Sequence, residues 1–551
     1  MVPAVAVMLG VTMLTGADKS HESELFRQLN TFNTIVRELE NNYVDSIPAE
    51  RVMQAAIRTM LSEIDPYTEF YTSEEMKAFN TQTTGEYAGI GSYIMQRDSA
   101  VYFSGPYEGS PAALAGIRTG DRILMVDTTD VSKSTSDKVS KILRGTPNTP
   151  VYVRVSRPYV GADSIIEFNI TRKKLQLPSV PYYGITRGDM GYIKLNSFME
   201  TSADEVKKAL EEFKANPDVK GVILDLRSNG GGLVQSAVEI AGYFLPKGTE
   251  VLRTKGKKAS ETRIYRTTHS PIMEDMPLAI LIDGGSASAS EIVAGSMQDL
   301  DRALLVGSRS YGKGLVQGTR QLPYDQMLKI TTAKYYIPSG RLIQALDYSR
   351  RNEDGSVAHT PDSLCNVYTT KHGREVKDGG GLKPDVEIDW GTLSRLAYNL
   401  VRDNFVFDYA TKYAAEHPSI PSASEFQITD SIYSDFKQSI DPTRLKYDKV
   451  CEEMLKQLEE TAEREGYMND STKVEFETLR KLLTHNLDQD LDTKRKEIVE
   501  YLGSEIVERY YYEGGQVQYN LQDDEAVDKA AAILRDPLRM KEYGIVSGSK
   551  K

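Results

Sequence analysis

Cysteine and tryptophan are nearly absent: 551 residues hold two cysteines, Cys365 and Cys451, and one tryptophan. Two thiols exclude a disulfide-built scaffold and any cysteine-rich zinc site, while leaving room for one disulfide in an oxidising compartment. The six histidines (His21, His269, His359, His372, His417, His485) are scattered, without H-E-x-x-H or other ligand spacing. No metal site is therefore legible, and no cofactor is expected. Positive charge is in deficit, with 67 basic against 79 acidic residues and a net charge of -12. That balance argues against a general nucleic-acid-binding surface. Long apolar runs are missing as well. The longest, residues 2–14, falls short of the ~20 needed to span a bilayer. It resembles the hydrophobic stretch of an export signal without the usual basic start. Residues 1–20 are accordingly expected to be an export signal or membrane anchor, and the chain to lie in the cell envelope, periplasmic or tethered facing the periplasm.

What is present describes an ordinary globular chain, 40% hydrophobic and 26% charged, too long for a single core. Its expected class is multidomain α/β. Residues 21–84 read as a helical arm, because Phe26, Leu29, Phe32, Ile35, Val36 and Leu39 recur at three- and four-residue spacing. Such a face suits packing or homodimer formation. Residues 85–175 change to short β-rich runs (90–95, 101–104, 151–156) separated by turns. Pro111 suits the first turn of a short helix and Gly116 its end. From 176 to 395 strands alternate with helices, the signature of parallel βαβ units and a mostly parallel sheet. One strand runs into Ser228-Asn-Gly-Gly-Gly-Leu233, where glycines permit close backbone approach and present N–H groups. Residues 396–551 are charged and helical in pattern, an accessory domain for assembly, substrate handling or a lid.

The densest chemistry lies in residues 277–317. An apolar run, Leu278 to Ile282, turns through Gly284-Gly285 into Ser286, Ser288 and Ser290, and then into a helical pattern. A second run, 303–306, leads to Tyr311-Gly-Lys-Gly. Gly307 to Lys313 matches GxxxxGK, most of a phosphate-binding loop. The next residue is Gly314 rather than Ser or Thr, and strand-like sequence follows where such a loop opens a helix. Serine hydrolysis fits better. A desolvated lysine serves as a serine's base where burial lowers its pKa, and Lys313 stands between two glycines beside an apolar run. Ser288-Ala-Ser-Glu291 also fits a helix capping box, a purely structural role compatible with the catalytic one.

GGSASASEIVAGSMQD followed by GSRSYGKGLVQ resembles the C-terminal processing (tail-specific) peptidases, a Ser–Lys family. LDLRSNGGGL resembles their glycine-rich strand end, and Gly379-Gly-Gly-Leu-Lys-Pro-Asp385 a later core turn. The segment from Ser110 to Asp127 resembles a PDZ domain. The resemblance covers about residues 30–390 and implies a helical arm, a PDZ domain and an α/β protease core. It implies Ser288 as nucleophile, Lys313 as general base and Gln317 as the lysine's support, with Ser286 and Ser290 as second choices for nucleophile. An oxyanion hole is expected at the backbone N–H groups of Gly231 and Ala289. Tyr87, Ala88, Gly89, Ile90 and Gly91 would form the PDZ loop that takes a free C-terminal carboxylate. The partners implied are proteins or peptides with free C-termini. A PDZ binding module without catalysis is the alternative.

Overall fold

The computed structural model describes residues 19–545, apart from 160, 162, 163, 353, 355, 446–449 and 484–485. The apolar stretch 2–14, read as an export signal, lies outside the described residues. By packing, the chain falls into two compact units: residues up to Ser73 with Gln317–Thr331, and Glu74–Val316 with Thr332 onward.

The first unit carries the helical arm as helices Lys19–Asn42 and Ala49–Ser62. Asp65 organises the exit, its Oδ1 accepting the Tyr67 and Thr68 N–H groups at 2.8 and 2.7 Å. The short strand Glu69–Tyr71 then pairs antiparallel with Met327 to Lys329. Of the expected apolar face of the arm, Phe26, Leu29, Phe32, Ile35 and Leu39 are exposed and Val36 is half-buried.

In the second unit, strands Ser92–Arg97, Ala100–Pro106, Arg122–Val126, Pro150–Arg157 and Ser164–Thr171 form an antiparallel sheet in which Ser92–Arg97 is an edge. Helix Ser136–Leu143 lies beside that edge, its Ser136 N–H donating to Gln96 Oε1 at 2.7 Å. Alternation along Pro150–Arg157 puts Val151, Val153 and Val155 into one core with Val101, Phe103, Ile123 and Val139.

The central sheet runs Tyr182–Thr186, Met190–Lys194, Gly221–Asp225, Leu278–Ile282, Leu304–Gly307, Val386–Glu387. Its first pair is antiparallel and each of the others parallel. Both faces are covered, so the inner strands read as continuous apolar runs. Leu278, Ile280 and Ile282 face helices Ser202–Ala215, Val234–Gly242 and Ala289–Asp299, whereas Ala279 and Leu281 face the other way. Each leucine or isoleucine so buried contributes about 1.5–3 kcal/mol. The second face is closed by helix Glu525–Leu534 through Ala526, Val527, Ala530, Ala531 and Leu534. The last helices thus belong by packing to the sheet rather than to the accessory domain in which their position places them. Residues 396–445 and 491–507 contribute to a separate helical core around Leu400, Phe436, Leu502 and Ile506.

Candidate functional site

Two parallel strands deliver their C-terminal ends side by side, where open α/β sheets collect reactive groups. Leu278–Ile282 ends in Asp283-Gly-Gly, Gly221–Asp225 in the loop of residues 228–232. Asp283 ties the two ends together. Its Oδ1 accepts from the N–H groups of Ser228 (2.8 Å) and Gly285 (2.9 Å), and its Oδ2 from Ser228 Oγ (3.1 Å). A Cβ on Gly285 would stand 2.9 Å from Ser228 Cα, so the contact requires glycine there.

The three serines separate by what they touch. Ser286 is buried and donates to Leu226 O at 2.8 Å; Ser290 is buried and donates to Asn229 O at 2.8 Å. The two hydroxyls pin the serine turn to the end of the neighbouring strand and to its glycine loop. Ser288 is only partly buried and sits at φ 56°, ψ -111°, immediately before helix Ala289–Asp299. A non-glycine residue held at positive φ marks local strain of a kind that clusters at active sites.

Glu291 joins the serine turn to the lysine loop. Its Oε2 accepts the N–H of Ser288 (2.8 Å) and of Lys313 (2.9 Å). Its Oε1 accepts the N–H of Gly312 (2.7 Å) and the hydroxyl of Ser310 (2.6 Å). Burial pushes the Glu291 carboxyl up from its ordinary pKa, against the opposing effect of these four donors. Further bonds fix the lysine loop: Tyr311 N–H to Ser286 O (3.0 Å) and Gly314 N–H to Gln344 Oε1 (2.7 Å). Lys313 is half-buried and followed by strand Leu315–Gln321, so this loop does not open a helix as a phosphate-binding loop does. Gln317 belongs to the other unit, where its amide donates to Thr331 Oγ1 at 3.1 Å.

Gly231 lies against the serine turn, as a Cβ there would be 2.7 Å from Ala287 O and 2.9 Å from Ala289 N. Its own N–H, expected to face an oxyanion, donates to Asn229 Oδ1 at 2.9 Å. The Asn229 amide in turn donates to Leu195 O at 2.7 Å. Asn229, Asp283 and Ser310 had no sequence signal beyond lying in or beside the motifs, and Glu291 was legible only as a capping partner.

Around the expected PDZ loop, Glu86–Gly89 pairs with Lys173–Gln176, and Ile90 O accepts from Ala112 N–H at 2.8 Å. Gly91 takes φ 82°, and a Cβ on it would stand 2.4 Å from Ser110 Cβ. Tyr87 lies under the Arg144 guanidinium (5.5 Å to the ring centre), and burial pushes its phenol up to about 12. Among the described residues no cluster of side chains has the makings of a metal site.

Comparison with known proteins matches residues 189–348 to peptidase family S41, residues 102–157 to a PDZ domain, and residues 396–534 to the C-terminal helical domain of probable PDZ-proteases. A carboxy-terminal-processing protease of Bartonella bacilliformis is 32% identical over 339 residues, 61% of this chain and 77% of the relative. A probable CtpA-like serine protease of Staphylococcus haemolyticus is 31% identical over 464 residues, 82% and 89% of the two chains. The solved photosystem II D1 C-terminal processing protease aligns with 26% identity and a TM-score of 0.37 over 68% of this chain and 89% of that one.

Proposed function

The chain belongs to peptidase family S41, among the carboxy-terminal-processing proteases, and from that premise we propose a serine endopeptidase with a Ser288–Lys313 dyad that cuts proteins near their C-terminal tails. The observation that carries the assignment is the division of labour among the serines. Ser286 and Ser290 are buried in structural hydrogen bonds, whereas Ser288 is partly open, strained, and bound through Glu291 to the backbone of Lys313.

In this reading Lys313, as its neutral amine, takes the proton from Ser288 Oγ, and the oxygen attacks a peptide carbonyl. The C–O bond that forms leaves negative charge on the carbonyl oxygen. Ala289 N–H, at the positive end of helix Ala289–Asp299, offers a donor there. Gly231 N–H offers a second when it is shared between Asn229 Oδ1 and the oxyanion. Collapse breaks the C–N bond as Lys313 returns its proton to the leaving amine. Water then opens the acyl-serine ester, with Lys313 as base again. The open edge of Ser92–Arg97, beside helix Ser136–Leu143, suits a peptide added as a further strand, its carboxylate on the N–H groups of residues 87–91. We assign the chain to the cell envelope, facing the periplasm, on the strength of the apolar stretch at residues 2–14; fractionation that finds it in the cytosol would reject this.

The test is cleavage of an unfolded reporter with an apolar C-terminal tail by wild type, Ser288→Ala and Lys313→Ala. Loss of cleavage in both folded variants, with slower cleavage of an amide-capped tail by wild type, is expected. Wild-type rates from Ser288→Ala would reject the nucleophile. An inert wild type that still binds the tail would favour a PDZ binding module.

A further inference from the structure

One helix touches both the PDZ domain and the strand end that holds the glycine loop. Helix Arg495–Asn520 is broken at Tyr512, whose φ 55° and ψ -164° lie outside the helical region. Before the break, Glu508 lies against strand Ala100–Pro106, with its Oε1 3.3 Å from where a Cβ on Gly105 would stand. The PDZ domain is held to the same helical region by Arg97, which forms a two-pronged pair with Asp408 at 2.5 and 2.8 Å. Thr411 packs against Gly120, and Arg509 donates to Phe407 O at 3.3 Å, joining the helix of Asp408 and Thr411 to the broken one. Beyond the break, Glu513 accepts a 2.6 Å bond from Asn196 Nδ2, and Gly514 closes on Pro181 O.

Asn196 directly follows Leu195, whose carbonyl accepts the Asn229 amide, and Asn229 Oδ1 holds the Gly231 N–H. Between Glu513 and the loop stand only one strand-end backbone and one side chain. A strained residue at the break persists where the surrounding contacts impose it. Those contacts here are the PDZ domain on one side and the sheet on the other.

We propose that Glu513 is a positioning residue for the glycine loop, and that the broken helix carries the docking of the PDZ domain to that loop. The proposal rests on the peptidase reading for its kinetic consequence, but its structural readout does not. The experiment measures amide hydrogen exchange across residues 228–233 in the full chain, together with reporter cleavage. It compares wild type, Glu513→Ala, Glu513→Gln and Arg97→Ala. In Glu513→Ala, exchange at the loop should rise and kcat fall by roughly 2- to 30-fold, with KM for the tail unchanged. Arg97→Ala should move both quantities in the same direction. Glu513→Gln should restore them, because its amide oxygen still accepts from Asn196. Asn196→Ala reads the same contact from the core side should Glu513→Ala fail to fold. Unchanged loop exchange in Glu513→Ala or Asn196→Ala would overturn the positioning role. A silent Arg97→Ala beside a responsive Glu513→Ala would overturn the link to the PDZ domain. If exchange responds while wild type cleaves nothing, the peptidase reading fails and the coupling stands.

Discussion

Glu291 shows how one side chain can hold a site it does not take part in. Four donors converge on its carboxylate, three of them backbone N–H groups from the serine turn and the lysine loop. Glu291→Gln would keep the shape but turn one acceptor oxygen into a donor facing N–H groups. A buried N–H left without a partner costs about 1–3 kcal/mol. Glu291→Gln should therefore lower Tm and reduce kcat more than KM, as calorimetry and steady-state cleavage would register; wild-type kcat would deny that the carboxylate sets the proposed dyad. The contrast with Ser286→Ala and Ser290→Ala is informative. Each removes a hydroxyl whose partner is a backbone carbonyl, Leu226 O at the strand end or Asn229 O in the glycine loop, so each should cost stability of the same order while the folded fraction still cleaves. A complete loss of cleavage in folded Ser290→Ala, with Ser288→Ala active, would transfer the nucleophile's role. The sequence displayed Glu291 as the fourth position of a capping box, and the Ser288 N–H bond is one half of that motif. Its other three bonds come from residues 310–313, and no local pattern announces contacts across that separation.

At the scale of elements, the strand ends and their glycines were readable because a fully buried strand is a short unbroken apolar run. Leu278–Ile282 and Gly221–Asp225 both have that form, and the turns after them are written in glycine. Gly307, the last residue of the neighbouring strand Leu304–Gly307, shows how close such strand ends come: it takes φ 134°, and a Cβ there would stand 1.9 Å from Ile282 O. Gly307→Ala should yield misfolded or strongly destabilised protein, visible as loss of soluble yield; a soluble variant with wild-type Tm would show that the strands can part. The role of helix Glu525–Leu534 was not readable. Its amphipathic pattern says that one face is buried, but not that the buried face meets Met190, Ile223 and Leu281 on a sheet hundreds of residues earlier. The helical arm poses the reverse case. Its apolar face was plain in the spacing, yet Phe26, Leu29 and Phe32 are exposed in the single chain. A contiguous exposed apolar stripe marks an association surface. On the expectation that the arm serves homodimer formation, Leu29→Asp with Phe32→Asp should convert a dimer to a monomer in light scattering. A monomeric wild type would reject that use of the stripe.

For the whole molecule, the contact between PDZ domain and helical region carries a titratable group. Glu508 is mostly buried, with Glu505 and Glu513 on its own helix and Tyr93 of the PDZ domain nearby; Arg509, 3.8 Å away, opposes. Burial first, then repulsion from Glu505, raises its carboxyl to about 7 from an ordinary 4.5. An acid whose folded pKa is raised binds more protons folded than unfolded between those two values. Its effect on stability is therefore neutral below about pH 4.5, grows unfavourable as pH rises toward about 7, and levels off above. At about 1.4 kcal/mol per unit, the full effect is on the order of 3 kcal/mol. Other raised carboxyls, Glu291, Asp385 and Glu513 among them, tilt stability the same way, so the wild-type slope alone does not isolate Glu508. The difference between wild type and Glu508→Gln does. Urea unfolding at pH 5 and pH 8 should show the variant gaining on wild type at the higher pH, because a neutral amide avoids the buried charge. The same comparison should appear in loop exchange if the helix carries PDZ docking to the core, with wild type exchanging faster at pH 8 relative to the variant once intrinsic exchange rates are corrected. A pH-independent difference between the two proteins would mean that Glu508 stays ionised at this contact throughout, and that Arg509 outweighs both burial and the neighbouring carboxylates.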